Sequence, residues 1–492
     1  MKTQTLQRLA LGAMLLFQYT LIGSYAQTYR YQIQAILPPA PYTNTASVAL
    51  FSINDLGQAV GRLGFRNRNP LAFLWDQGQA IVLDSGFSGG EALDINNNGI
   101  IVGRANGYHP ALWDANHVLT YLPVLRSGGI AYAINDSNVV VGTDGQGGLN
   151  TIPLKWENGQ VVSLCGTIPC TGTAVDINNN GDIIGTVSWY INQDLYGGSW
   201  IFKPLEQYNG DDNPPTPDDF IWAEVLAIND QQQVAGYRGV LPFTSYIDTR
   251  AIRWENGVVT ELDHEPVTYR NSYVRGINNR GDLVGQKHDS AVLWTAEGHE
   301  INLNDAIPPG TGWVLRCATD INNAGQIVGY GSFNNKICGF VLTPAQVTIT
   351  GNVELQDFAG DVTQMPVTVE LRQGGNVVGT RTLSLGADGN YAFTASPETY
   401  DLAFKARHWL RKVVPNVSAS GSSVTVNVSL TNGDIDGDNE VTLFDFGALV
   451  SAFGSMPGDS NWNPEADLDG DKEVTLFDFG VLVSNFGAIG DD

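Results

Sequence analysis

A single pattern recurs seven times along the chain and constrains its fold more than any other property. The dipeptide Ile-Asn begins at Ile53, Ile95, Ile134, Ile177, Ile228, Ile277 and Ile321, at intervals of 39 to 51 residues. Four positions after each Ile stand Gly57, Gly99, Asn138, Gly181, Gln232, Gly281 and Gly325. Five Gly and one Asn in that slot predict a left-handed backbone residue, as in a type I turn with a bulge closing a hairpin. Four residues further on comes a second glycine in every copy: Gly61, Gly103, Gly142, Gly185, Gly236, Gly285 and Gly329. The Val, Ile or Ala before it belongs to a strand. A small residue or Pro then sits three positions before a large apolar one, as in Ala72/Trp75, Pro110/Trp113 and Pro153/Trp156, and a hairpin such as Glu157-Asn158-Gly159-Gln160 usually follows. The repeated Asn is read as bonding its own turn, and the repeated Trp as packing between copies rather than as a sugar platform.

Each copy thus holds four short strands in about 45 residues, the size of one blade of a β-propeller. Seven copies predict a seven-bladed propeller over residues 27–344, in a chain that is mainly β. The seventh copy lacks its last strand, and the strand-like stretch Tyr29 to Leu37 is expected to supply it and close the ring, removing two sheet edges. A β-solenoid or open array is the alternative. The motif Ala-x-x-Ile-Asn-x-x-Gly-x-Val-Val-Gly followed by Ala-Phe-Leu-Trp resembles the extracellular HAF-family repeat over residues 46–342. That resemblance implies secretion and repetition, and no general activity. Glu206 to Trp222, with Asp211, Asp212, Asp218, Asp219 and three prolines, interrupts the fourth copy as a long loop. It and Tyr208 are where a propeller ligand is expected, because functional loops project from rigid scaffolds.

The last sixty residues contain two near-copies of one segment, Asp434 to Asp445 and Asp467 to Asp478, set 33 residues apart. Acidic side chains fall at positions 1, 3, 5 and 12: Asp434, Asp436, Asp438 and Asp445, then Asp467, Asp469, Asp471 and Asp478. Ca²⁺ takes six to eight hard oxygens, and a tightly turning twelve-residue loop can aim alternate carboxylates at one point. Glu440 and Glu473 would add a backbone carbonyl, and Thr442 and Thr475 a hydroxyl or water-mediated contact. Two Ca²⁺ ions are therefore expected. Position 6 needs a positive φ, which Asn439 tolerates better than Lys472, so the second site is expected to be weaker. Leu443, Phe446, Leu449, Val450 and Phe453 recur at helical spacing, as do their counterparts from Leu476 to Phe486. Each unit is a loop plus one helix, and residues 433–490 resemble a type I dockerin. That resemblance implies a cohesin-like or cell-surface partner. Leu443-Phe444 and Leu476-Phe477 occupy the partner-choosing positions, where the cellulosomal pattern has small or hydroxyl side chains.

Between these regions, residues 346–431 read as alternating strands such as Val367 to Leu371 and Val424 to Val428. With the turn Gly386-Ala-Asp388-Gly389-Asn390-Tyr391-Ala-Phe393 they resemble the β-sandwich related to the carboxypeptidase regulatory domain, which implies a structural spacer. The basic cluster Lys405, Arg407, His408, Arg411 and Lys412 is either an ordinary solvated face or a partner for the acidic tail.

Charge and chain ends set the compartment. The chain carries 51 acidic and 26 basic residues, a net charge of −25. Residues 433–492 hold 14 acids against one Lys, or −13 of that total. The balance argues against nucleic acid and anionic membrane surfaces. Lys2 and Arg8, the apolar stretch Leu9 to Ile22 and Ser24-Tyr25-Ala26 read as a signal peptide over residues 1–26, so the chain is expected to be secreted, with no membrane span after cleavage. Cys165 with Cys170, and Cys317 with Cys338, are the expected disulfides. No catalytic residues are assigned: the six His form no triad or zinc motif, and no phosphate loop appears. The reading adopted is a non-catalytic binding or assembly protein, with a glycan as a candidate propeller ligand. A polysaccharide-active hydrolase, and a tail clasping its own sandwich, remain the alternatives.

Overall fold

The computed structural model describes residues 30–145, 151–165, 170–191, 194–202, 222–240, 248–263 and 271–492. The predicted signal peptide and nearly all of the acidic loop, Tyr208 included, lie outside these residues. The chain divides into two compact units, 31–344 and 345–492, the second joined by Arg30.

The first unit consists of seven small antiparallel sheets. The second sheet is typical: Glu91–Ile95, Ile101–Ala105, His109–Trp113 and Leu119–Tyr121 pair in sequence order. The fourth has three strands among the described residues, Cys170–Ile177, Ile183–Ile191 and Asp194–Phe202. In the seventh, Trp313–Ile321, Ile327–Phe333 and Lys336–Pro344 are joined by Tyr31–Ile36, which pairs antiparallel with the last of them. The strand from the beginning of the unit therefore supplies the strand missing at its end.

The repeat residues explain why the sheets form. All seven turn-slot residues have positive φ, from +61° at Gln232 to +87° at Gly181. The second glycine has a different cause. Each first strand bulges just before its turn, as between Leu50 and Ser52. This brings its backbone against the next strand, so a Cβ at Gly61 would stand 2.0 Å from the Ala49 carbonyl oxygen. At Gly103 and Gly142 it would stand 2.1 Å from Glu91 and Ile130.

Neighbouring sheets bury apolar side chains between them. Trp113 packs with Val60 and Leu74 of the first sheet, and Trp156 with Val102 of the second. Val328 and Val341 of the seventh sheet pack with Val48 and Leu50 of the first. The Trp residues named here are buried, in line with a packing role.

The repeat asparagine does more than brace its turn. Asn54 Oδ1 accepts from the backbone N–H of Leu56 and Gln58, as the sequence suggests. Its Nδ2 donates to the carbonyl of Asn96 in the next sheet. The same bond runs from Asn96 to Asn135, to Asn178, to Asn229, to Asn278, to Asn322, and from Asn322 back to Asn54, at 2.9–3.2 Å. A second cycle uses the following residue: Asn97 Oδ1 accepts from Asp55 N, Asp136 Oδ1 from Asn97 N, and so on through Asn179, Asp230, Asn279 and Asn323 back to Asp55, at 2.8–2.9 Å.

In the second unit, two sheets face each other. Val347–Leu355 pairs with Asn390–Ala395, Ser423–Thr425 and Val428–Leu430, opposite a sheet ordered Asn376–Leu383, Val367–Gln373, Thr399–Ala406 and Lys412–Ser418. Ile349, Val369, Leu402, Phe404 and Trp409 fill the space between them. The turn ahead of Asn390–Ala395 closes through Gly386 N to Asn390 O, with Gly389 at φ +75°. Two helices follow, α1 (Leu443–Ala452) and α2 (Leu476–Ser484). No helix among the described residues is long and apolar enough to cross a membrane.

One expected disulfide is corrected. Cys165 and Cys170 are bonded, but Cys317 and Cys338 are free and buried. They lie on strands flanking Ile327–Phe333, so a whole strand separates them. Two inter-strand spacings of ~4.8 Å exceed the reach of a disulfide.

The carboxamide cycle makes a specific prediction at Asn322. Asn322→Asp keeps the acceptor for the turn and loses the donor to Asn54, at an expected cost of about 1–3 kcal/mol. Asn322→Ala loses both and should lower the calorimetric transition of the sheet unit further. Equal transitions for all three proteins would contradict the relay.

Candidate functional site

The tail begins with two loops that share one construction. In the first, Asp445 is buried; its Oδ1 accepts from Ile435 N and Asp436 N, and its Oδ2 from Thr442 N. Thr442 caps α1 by accepting from Phe444 N at 3.2 Å, completing a capping box with Asp445. Asp478 and Thr475 repeat this at α2. Position 6 has the expected backbone, with φ +72° at Asn439 and +74° at Lys472. Lys472 adopts it although no glycine relieves the strain.

The carboxylates converge in two groups. Asp434, Asp436 and Asp445 bring oxygens within 4.8 Å of one another, and so do Asp467, Asp469 and Asp471. Asp434 is 1% exposed, and its Oδ1 has no hydrogen-bond partner. An orphaned buried carboxylate oxygen in a group of three convergent carboxylates fits a hard cation such as Ca²⁺. Burial, followed by neighbouring carboxylates, raises the Asp436 and Asp469 carboxyls, and burial pushes Asp467 up to about 6.

Other residues of the expected ligand sets stand elsewhere. Asp438 accepts from Glu440 N and stands outside the first group, while Asp471, within the second, accepts from Glu473 N. The Thr442 and Thr475 hydroxyls each accept a backbone N–H as helix caps. Asp478 lies outside the second group and organises its loop from behind.

The tail stands on the sandwich within the second unit. Leu410 belongs to the tail's core with Ile435, Val441, Leu449, Leu468 and Leu482. Lys405 Nζ pairs with Asp434 Oδ2 at 2.6 Å, Arg407 with Glu465 at 2.5 Å and Lys412 with Asp491 at 3.1 Å. Backbone bonds reinforce these: Gly433 N and Asp434 N donate to His408 O, and Ala359 N to Asp469 O. Asn432 donates to Leu468 O and meets the buried His408 ring at 2.8 Å. Burial lowers the His408 pKa to about 4, keeping the ring neutral at neutral pH. The basic cluster therefore faces the tail. Leu410, Asn432 and Phe358, which abuts Gly470, were not legible as part of this contact.

The opposite surface of the tail is apolar and uncovered in this chain. Leu443 and Leu476 are each 72% exposed, and Phe444 and Phe477 are 76% and 74% exposed. Phe446 and Phe479 lie between the helices with ring centroids 6.1 Å apart. Val450, Phe453, Val483 and Phe486 extend the same duplicated exposure.

In the first unit, the turns surround a polar cavity of about 190 Å³ lined by the repeat asparagines and by Asp94, Asp176 and Asp320. These three carboxylates clamp neighbouring sheets. Asp94 accepts from Ile95 N and Ile134 N, Asp176 from Ile177 N and Ile228 N, and Asp320 from Ile321 N and Ile53 N. All three are half-buried along this cavity. Desolvation raises all three carboxyls, with Asp320 at about 7. No repeat-wide signal marked them, because only three of the seven copies carry Asp before Ile.

No family model matches the chain, and no curated protein matches it. Among solved structures it is similar to a C-terminal interface mutant of a type II cohesin–X–dockerin complex from Acetivibrio cellulolyticus. That match has 20% identity and a TM-score of 0.26, and covers 29% of this chain and 97% of that one. The β-propeller domain of the Trilobed protease from Pyrococcus furiosus matches at 11% identity with a TM-score of 0.40, over 61% and 93% of the two chains. The computationally designed Ika8 protein matches at 14% identity with a TM-score of 0.35, over 60% and 97%.

The Asp94, Asp176 and Asp320 carboxylates carry a pH signature. A carboxyl whose folded pKa lies above its unfolded value of 3.8 contributes stability that is complete below 3.8 and lost as pH rises through the folded value, about 7 for Asp320. The sheet unit of Asp320→Asn should therefore show a shallower fall in melting temperature between pH 5 and pH 8 than the parent. A parallel pH profile would contradict the assignment.

Proposed function

We propose that this is an exported, non-catalytic binding or assembly protein in which the tail binds two Ca²⁺ ions and docks the chain to a cohesin-like or cell-surface partner. The seven sheets are, in this reading, the blades of a seven-bladed propeller built from HAF-type repeats, and residues 433–490 form a dockerin-like module. The observation that carries the docking reading is the duplicated apolar face of the tail. Contiguous exposed apolar surface of this kind marks interaction sites, and apolar anchors dominate interfaces.

Calcium enters through Asp434, Asp436 and Asp445 in one loop and Asp467, Asp469 and Asp471 in the other. Bound there, the ion would neutralise crowded carboxylates and fix each loop ahead of its helix. The sandwich contact supports a second role for the tail as an internal clasp. The two roles use different surfaces, so they are compatible.

Calorimetric titration should find two calcium equivalents per chain, with Asp434→Asn and Asp467→Asn each removing one. A stoichiometry unchanged in both variants would refute the loop assignment. Residues 346–492, used as bait on the host's extracellular fraction, should capture a partner with calcium and release it with chelator. Phe444→Ser combined with Phe477→Ser should cut capture by about tenfold or more. Capture that ignores both chelation and these substitutions would exclude the docking face.

A further inference from the structure

The seven sheets share their scaffold residues, so recognition on this unit has to come from positions where the copies differ. One such layer lies four residues before each repeated Ile, on the first strand and its neighbour. In the third and fourth sheets the cross-strand pairs there are Ile130 with Thr143 and Thr173 with Thr186. Elsewhere the layer changes character, with Glu91 opposite Arg104, Glu224 opposite Tyr237 and Cys317 opposite Tyr330.

These side chains form a connected arc. Arg62 of the first sheet and Arg104 of the second both pair with Glu91, at 2.5 and 2.8 Å. On the other flank, Tyr237 donates to Glu224 at 2.5 Å, and its ring meets Tyr273 edge-on at 4.8 Å. Tyr330 pairs across the strands with Cys317, and Arg275, one strand position beyond Val274, lies beside the Cys317 thiol. It acts electrostatically on Tyr237 and on Tyr330, and Tyr330 in turn feels Arg62.

The charges are not equivalent. Glu91 is committed to two guanidinium groups. Arg275 is exposed, and among the described residues no carboxylate lies within ion-pair distance of it. A guanidinium without a carboxylate, in a chain of net charge −25, is a receptor for one anionic group. Its planar fork suits a carboxylate bound through two parallel hydrogen bonds. Half-buried tyrosine rings beside it offer flat apolar faces with hydroxyl edges. A lone unpaired cation among ring faces fits a cyclic monoanion better than a phosphate, which usually recruits several cations.

We propose that this arc binds an acidic saccharide: Arg275 holds the carboxylate of a uronate, Tyr273 and Tyr330 carry the apolar face of the sugar ring, and Glu224 accepts from its hydroxyl groups. This goes beyond the docking reading and does not depend on it, because the tail contributes no residue to the arc.

The test is calorimetric titration of the full chain with the trimers of galacturonate, glucuronate and mannuronate, and with their methyl-esterified, uncharged counterparts. At least one acidic trimer should bind about tenfold or more tightly than its ester, and more weakly at ~300 mM than at ~50 mM salt. Arg275→Ala should remove that preference, Arg275→Lys should retain part of it, and Tyr330→Ala should weaken both forms. Arg275 is exposed, so its variants should keep the parent's melting temperature; Arg275→Lys alone still reads the fork geometry if Arg275→Ala unfolds. Binding should persist in Phe444→Ser/Phe477→Ser, which separates this site from the docking face. No binding by any acidic trimer, equal binding of the esters, or an unaltered preference in both Arg275 variants would overturn the proposal.

Discussion

The carboxamide of the repeat asparagine holds the seven-sheet unit together, because its oxygen and its nitrogen serve different sheets. The oxygen accepts two backbone N–H groups of its own turn, and the nitrogen reaches the equivalent carbonyl in the next sheet. Asparagine is suited to this place: aspartate has no donor, and glutamine is longer by a methylene. The buried turn carbonyls that would otherwise lose hydration are satisfied one by one, and the last bond, from Asn322 to Asn54, ties the seventh sheet to the first. Bulges, facing glycines and the three clamping aspartates all follow from bringing seven such turns around one cavity.

The second unit divides its work between two surfaces of a small tail. One surface is polar and interlocked with the sandwich through Lys405, Arg407, Asn432 and Leu410. The other shows paired Leu-Phe dipeptides to solvent. Lys405 links these functions, because its ammonium rests on Asp434, the first carboxylate of the first loop. A cation held in that loop and the grip of the sandwich would therefore act on the same side chain.

Much of this was legible before any coordinates, and the rest was hidden for physical reasons. Turn chemistry is local, so the positive-φ slot and the strand rhythm could be read directly, including Gln232, which adopts the slot without the usual residue type. The spacing of the acidic residues in the two tail loops and the helices after them are local too. Contacts between distant segments were not legible. Asparagine looked like a turn residue because its second bond goes to a partner 39 to 51 residues away, or 268 at the seam. The second glycine could be counted but not explained without the bulge opposite it. Cys317 and Cys338 looked paired along the sequence, yet the strand between them keeps them apart. The threonines of these loops also cap the helices that follow, a contact the loop pattern does not reveal.

Hydrogen exchange on the full chain, with calcium and then with chelator, tests most directly the claim that loop occupancy and sandwich contact act together. The account predicts that chelation deprotects residues 434–445 and 467–478, along with the sandwich segments 356–360 and 405–412, and leaves the seven sheets unchanged. Unaltered protection throughout the second unit, or deprotection confined to the loops, would contradict it.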